Sequence, residues 1–173
     1  CDFYSNYNSN IQRGMYFFAD KATTEFEKSR SIISSFLNTE FKEEIIFTSG
    51  TTHAINLVAF GFLQKFISKG DEVLIGEMEH HANIIPWQVV AGKLGAKFTK
   101  LKCRENGMVD IKQLKEKLNT NVKLIAVQHI SNITGHENNI KEICALAHKK
   151  NIKVFVDGAQ AVSHKAVDVR DLD

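Results

Sequence analysis

Val154-Phe155-Val156-Asp157-Gly158-Ala159-Gln160 is the stretch that decides the fold. Three consecutive apolar residues predict a strand covered on both faces, as the strands of a parallel sheet are. Asp157 falls where that strand ends, and Gly158 permits a sharp turn directly behind it. In open α/β sheets, ligands bind beyond the carboxyl ends of the strands, so the segment would deliver a carboxylate and an amide to a site. Asp157 reads equally well as a cap for the following helix.

The rest of the chain repeats this pattern of strand, turn and helix. Asp71–Gly76, Lys97–Leu101 and Lys123–Gln128 read as strands, with the strand ending at Asp157 central among them. Ala82–Leu94 reads as a helix with Pro86 in its first turn and Gly95 as its stop. Asp110-x-x-Gln113 and Asn139-x-x-Glu142 open two more helices, the first resembling a capping box, and the second placing Ile140, Ile143, Cys144 and Ala147 on one face. Nearer the amino end, residues 1–19 read as irregular, with a turn at Gln12-Arg13-Gly14. A helix follows over Asp20–Asn38, with Asp20 as N-cap and Ala22, Phe26, Ile33 and Leu37 inward. Glu44–Thr48 reads as a strand, followed by a helix to about Phe66. Alternation with short connections predicts an α/β fold of three αβα layers around a mostly parallel sheet.

Composition narrows the function classes. Apolar residues are 43% of the 173 and charged residues 24%, so the chain supports a packed core. A formal net charge of +2 gives no field that would draw nucleic acid or an anionic membrane. No apolar run reaches membrane-spanning length and no signal peptide is visible. Cys1, Cys103 and Cys144 are scattered, which argues against a disulfide framework and for a reducing compartment. No C-x-x-C pair or H-E-x-x-H motif points to a metal. A chain running from Cys1 to Asp173 is expected to be part of a longer protein.

Four groups of polar residues follow four of these strands. Ser49-Gly50-Thr51-Thr52 sits between a strand and a helix, where free amides, the helix dipole and two hydroxyls suit a phosphate; Thr51 alternatively caps the helix. Glu79-His80-His81 offers an imidazole to stack on a flat ligand or move a proton, or a structural histidine. Asn132 could bond a ring oxygen or form an Asx-turn. Asp157 and Gln160 complete the set. Together they describe a site for a flat, phosphorylated, nitrogen-containing ring such as pyridoxal 5′-phosphate, whose protonated pyridine acts as an electron sink.

Phe47–Val58, Met78–Trp87, His129–Asn132 and Val156–Ala161, with Arg13-Gly14 and Ala22-Thr23, resemble the class V aminotransferases along essentially the whole chain. Within that family they are most similar to the SufS-type cysteine desulfurases, which include selenocysteine lyases. The resemblance implies most of the large domain of a pyridoxal-phosphate enzyme of fold type I, over residues 1–173, without its amino-terminal segment and carboxyl-terminal part. It implies that Thr51 and Thr52 hold the phosphate. His80 would stack on the ring and help move protons, Asp157 would pair with the ring nitrogen, and Asn132 and Gln160 would reach the phenolic oxygen. The implied reaction takes sulfur from L-cysteine, leaving L-alanine and an enzyme persulfide that feeds iron–sulfur assembly. A homodimer, a sulfur-acceptor protein of the SUF type and a bacterial cytoplasm, or else a plastid-type organelle, are implied too. The alternatives are a selenocysteine lyase or another class V enzyme, and a non-catalytic module that binds phosphate or a partner.

The sequence also departs from the family. Ser49 stands where many relatives carry a basic residue, and His53 where glutamate is usual. The family's cofactor-anchoring lysine in Ser-Gly-His-Lys, its nucleophilic cysteine and its substrate-carboxylate arginine have no counterpart here. Ser163-His164-Lys165 mimics the lysine motif but lacks the glycine and follows Asp157 too closely. The chain alone is therefore expected to be inactive.

Overall fold

The computed structural model describes residues 2–12 and 14–173; Cys1 and the Arg13 of the expected turn lie outside the described residues. The chain forms two compact units.

The first unit runs to Phe47 and takes in Ala166–Arg170. It holds α1 (Asp2–Asn6) and α2 (Phe17–Leu37). Residues 1–19 were expected to be irregular, yet Asp2 accepts from the Asn6 amide one turn on, and Phe3 stacks edge-on against Tyr7. The second helix begins three residues before Asp20. Tyr16, at φ −141°, is its N-cap, and Asp20 lies in the first turn, where a carboxylate still favours the helix dipole. Of the expected inward face, Ala22 is buried but Ile33 is 38% exposed. The expected strand over Glu44–Thr48 does not form: Lys42–Glu44 is a 3₁₀ turn, followed by unpaired residues. β-Branched and aromatic residues such as Ile45, Ile46 and Phe47 suit a strand, but a strand also needs a neighbour. Here the Ile45 carbonyl accepts from the Arg30 guanidinium instead.

Thr48–Lys165, with Asp171–Asp173, form the second unit. Its sheet contains β1 (Glu72–Gly76), β2 (Lys97–Leu101), β3 (Val122–Gln128) and β4 (Lys153–Asp157) in the order β2-β1-β3-β4, all parallel. Successive side chains point to opposite faces, and both faces are packed. Leu74, Ile125 and Val127 join one core with Leu114, Ile140 and Ile143. Val73, Ile75, Leu124 and Ala126 join another with Ile55, Leu63 and Trp87. The three-layer α/β expectation holds, with one correction. Among the described residues β4 is an edge strand rather than central, and Val154, Phe155 and Val156 are half-buried.

Helix α3 (Thr51–Leu57) precedes β1, and α4 (Ile85–Leu94), α5 (Ile111–Lys117), α6 (Ile140–His148) and α7 (Ala161–His164) connect or follow the strands. Past Leu57 the helix widens to a π turn over Val58–Phe62 and tightens to 3₁₀ over Leu63–Lys65. Its inward residues Ile55, Ala59 and Leu63 recur every fourth position, more than the 3.6 of an α-helix, and a wider turn keeps them facing the core. The helix expected over Ala82–Leu94 is interrupted at Ile84 (φ −115°): His81–Asn83 is a separate 3₁₀ turn, and α4 starts at Ile85 with Pro86 in its first turn, where a missing amide hydrogen costs no helical bond. Gly95 ends α4 at φ 71°. Asp110 caps α5 through the Lys112 and Gln113 amides, but the Gln113 side chain accepts from Lys102, so the capping box is one-sided. Asn139 caps α6 through the Glu142 amide, 3.2 Å away. Among the described residues, no helix is long and apolar enough to cross a membrane, and no three metal-ligating side chains cluster.

Candidate functional site

The carboxyl ends of β1, β3 and β4 and the start of α3 border a cavity of about 230 Å³. All six residues singled out in the sequence, Thr51, Thr52, His80, Asn132, Asp157 and Gln160, line it. Asp157 ends β4 opposite Gln128 of β3 and is buried. Its Oδ1 accepts from the Ala159 amide at 3.0 Å, so it caps the turn and presents a carboxylate to the cavity at once.

Gly50, at φ 151°, is the N-cap of α3; Thr51, the alternative cap, is already inside the helix. Thr48 Oγ1 donates to the Gly50 carbonyl at 3.1 Å, and the first helical bond runs from the Ala54 amide to that same carbonyl. The amides of Thr51, Thr52 and His53 precede that bond and so have no acceptor within the helix. With two hydroxyls beside them they form a donor set for an anion. His80 is exposed, and its Nδ1 accepts from the Ala82 amide at 3.1 Å. That bond assigns the proton of a neutral ring to Nε2. Asn132 lies on the hairpin after β3. The turn bonds there belong to Ser131, whose Oγ accepts from the Ile133 and Thr134 amides, and Asn132 is left to the cavity. Gln160 precedes α7 without capping it through its side chain.

Sequence reading missed two residues. Gln128 lines the cavity and donates from Nε2 to the Met78 carbonyl at 2.9 Å. A lone amide at the end of the apolar run Lys123–Gln128 was the available signal. Glu79 lies behind the wall, 7% exposed. Its Oε2 accepts from Asn83 Nδ2 at 2.7 Å, and Asn83 Oδ1 accepts from the Trp87 indole at 2.8 Å. The Gln128 amide donates to it as well. Burial raises the Glu79 carboxyl to about 7 against these stabilising bonds, with the charge of Asp157 adding to the rise. Lys165, by contrast, lies outside the cavity wall and donates to Glu137 at 2.7 Å.

A buried carboxylate, an imidazole, three side-chain amides and a turn with free main-chain donors thus meet in one cavity. Such a set can hold a ligand that carries both an anionic group and a protonated nitrogen. The whole chain, residues 1–173, matches the family model for aminotransferase class V. A probable cysteine desulfurase of Halalkalibacterium halodurans is 42% identical over 171 residues, 99% of this chain and 42% of that protein. The crystal structure of the cysteine desulfurase CsdA of Escherichia coli matches with a TM-score of 0.88 at 34% identity, over 99% of this chain and 43% of that one. The apo cysteine desulfurase of Thermococcus onnurineus NA1 gives 0.92 at 34% identity, over 99% and 42%. The chain spans about two-fifths of the length of these relatives. By the match over its whole length, it belongs to the class V aminotransferase family.

Proposed function

We propose that this chain supplies the cofactor-binding part of a pyridoxal 5′-phosphate-dependent cysteine desulfurase. The observation that carries the reading is the meeting, in one cavity, of six residues from four separate segments. Their chemistry fits the cofactor group by group. Thr51 and Thr52, with the first amides of α3, take the phosphate. Asp157, whose Oδ1 already holds the Ala159 amide, keeps acceptor capacity for a protonated ring nitrogen. Asn132 and Gln160 serve the phenolic oxygen. His80 would lie against the ring, and its Nε2 would hold or pass a proton while Nδ1 stays tied to the Ala82 amide. When bound, the cofactor supplies an electron sink for a carbanion at the substrate's α-carbon.

The relatives' names support L-cysteine as substrate. Removal of its sulfur would leave L-alanine and a protein-bound persulfide. We place the enzyme in the SufS-type group, passing sulfur to an acceptor protein for iron–sulfur assembly and acting as a homodimer. Scattered thiols suit a reducing compartment, a bacterial cytoplasm or a plastid-type organelle. Titrating this chain with pyridoxal 5′-phosphate and following the cofactor's absorbance tests the site. Saturable binding that Asp157→Asn weakens about tenfold or more is expected, since a charge-assisted bond to the ring nitrogen is lost; binding indifferent to that change would refute it. Turnover of L-cysteine against L-selenocysteine by a protein carrying this chain tests the substrate.

A further inference from the structure

His129, Glu137 and Lys165 form a cluster that the cofactor site does not use. His129 follows β3 and is 3% exposed. Its main-chain amide donates to the Asp157 carbonyl at 2.9 Å, extending the β3–β4 ladder past the carboxyl edge of the sheet. Its Nε2 lies 3.1 Å from Glu137 Oε1, and Lys165 Nζ lies 2.7 Å from the same oxygen. Three segments meet there. Glu137 closes the hairpin that carries Asn132, through its bridge to Ile130. Lys165 ends α7, whose N-cap is Gln160, and its amide donates to the Ala161 carbonyl at 2.9 Å. His129 anchors both to the strand beside Asp157.

We propose that Glu137 and Lys165 are positioning residues, whose ion pair, seated on His129, latches the Asn132 hairpin to the segment carrying Gln160. The hairpin's internal bonds, Ser131 amide to His136 carbonyl and Gly135 amide to Ser131 carbonyl, hold its shape but not its place. Among the described residues, Glu137 is the side chain that joins it both to buried His129 and to the end of α7. With the pair made, two amides from different segments keep one spacing across the cavity; without it, each moves with its own loop. The lysine that mimics the family's cofactor motif is thereby engaged elsewhere, its ammonium held by the Glu137 carboxylate.

The latch rests on the cofactor reading for its consequence but not for its existence, and two measurements separate them. Hydrogen exchange of the ligand-free chain reads the latch itself. Lys165→Met should speed exchange at Ser131 and Gly135 severalfold while the β1 and β3 amides stay unchanged, and Lys165→Arg should restore the slow rates. Pyridoxal 5′-phosphate affinity reads the consequence. Lys165→Met and Glu137→Gln should each weaken it about twofold to fivefold, the range open to a partly exposed ion pair, and Lys165→Arg should not. Unchanged exchange in Lys165→Met overturns the latch. If the unaltered chain fails to bind the cofactor, the cofactor reading falls and exchange still decides the latch. A borohydride-stable cofactor label mapped to Lys165 would also overturn it, because a latched ammonium is no nucleophile.

Discussion

Replacing Glu79 by glutamine should flatten the pH dependence of stability of the sheet-bearing unit. The Glu79 carboxyl rises from an ordinary 4.5 to about 7 in the folded chain. The folded state therefore keeps its proton up to about pH 7, while the unfolded chain loses it near 4.5. Stability from this group is full below the lower value, falls across the window between the two and is flat above it. At about 1.4 kcal/mol per pH unit, the whole window is worth roughly 3 kcal/mol, and the part between pH 5 and 8 somewhat less. The single tryptophan, Trp87, is buried in this unit and linked to Glu79 through Asn83, so its emission during urea unfolding is the assay. Glutamine cannot accept both donors that meet Glu79, so Glu79→Gln carries a constant offset of about 1–3 kcal/mol for one unmet bond. The slope, not the offset, is the test. Between pH 5 and 8 the unaltered chain should lose roughly 2–3 kcal/mol more than Glu79→Gln does. Parallel curves for the two proteins would refute the argument, since they would mean that Glu79 titrates alike folded and unfolded. Asp157→Asn removes the charge that adds to the rise of Glu79, and should move the midpoint of the loss to lower pH.

Three further outcomes follow from the same geometry. Asn138→Ala strips partners from the Val109 amide, 2.7 Å away, and the Gln128 carbonyl, 2.8 Å away, both buried; a loss of about 2–6 kcal/mol is expected in urea unfolding, at about 1–3 for each unmet group. Gly76→Ala puts a Cβ 2.3 Å from Glu79 Oε1; it should cost about 1–3 kcal/mol by crowding and disturb the pH slope that Glu79→Gln removes. The Cys144 thiol, 5% exposed and raised to about 11 by burial and by the charge of Asp173, should resist thiol reagents at pH 8 until urea opens the core. Mass mapping would check it, and fast labelling of Cys144 in the folded chain would contradict the packing.

The features legible in the sequence are those fixed by local chemistry. Asp110 and Asn139 were readable as caps because each accepts from amides two or three residues ahead. Gly95 was readable as a stop because an αL residue follows the last turn. The polar groups of the site stand at strand ends, where α/β sheets bind ligands, and so their grouping is legible in the sequence. Non-local pairing was not legible. Glu44–Thr48 has strand composition without a partner, and nothing within Val154–Val156 tells an edge strand from a central one. Asp20 looked like a cap because the helix start beyond it, at Tyr16, carries no capping side chain. Glu79, though part of the Glu79-His80-His81 group, has no role legible in sequence, because a charge there says nothing of the burial that raises its carboxyl.

That burial has a structural cause, and it bears on why the site sits where it does. The β1–β3 pairing stops at Ile75 and Ala126, while β3 runs on to Gln128. Past that point the sheet can no longer satisfy β3 on its β1 side, and side chains take over. Glu79 accepts the Gln128 amide, and Asn138 Nδ2 donates to the Gln128 carbonyl. Gln128 Nε2 in turn holds the Met78 carbonyl, close to His80 in the chain. One network therefore runs from Trp87 through Asn83, Glu79, Gln128 and Asn138 to Val109. Buried networks of this kind are rigid only when every member is satisfied. The residues that replace a lost ladder thus also fix the wall of the cavity, and the burial of Glu79 among them is what lifts its carboxyl to about 7.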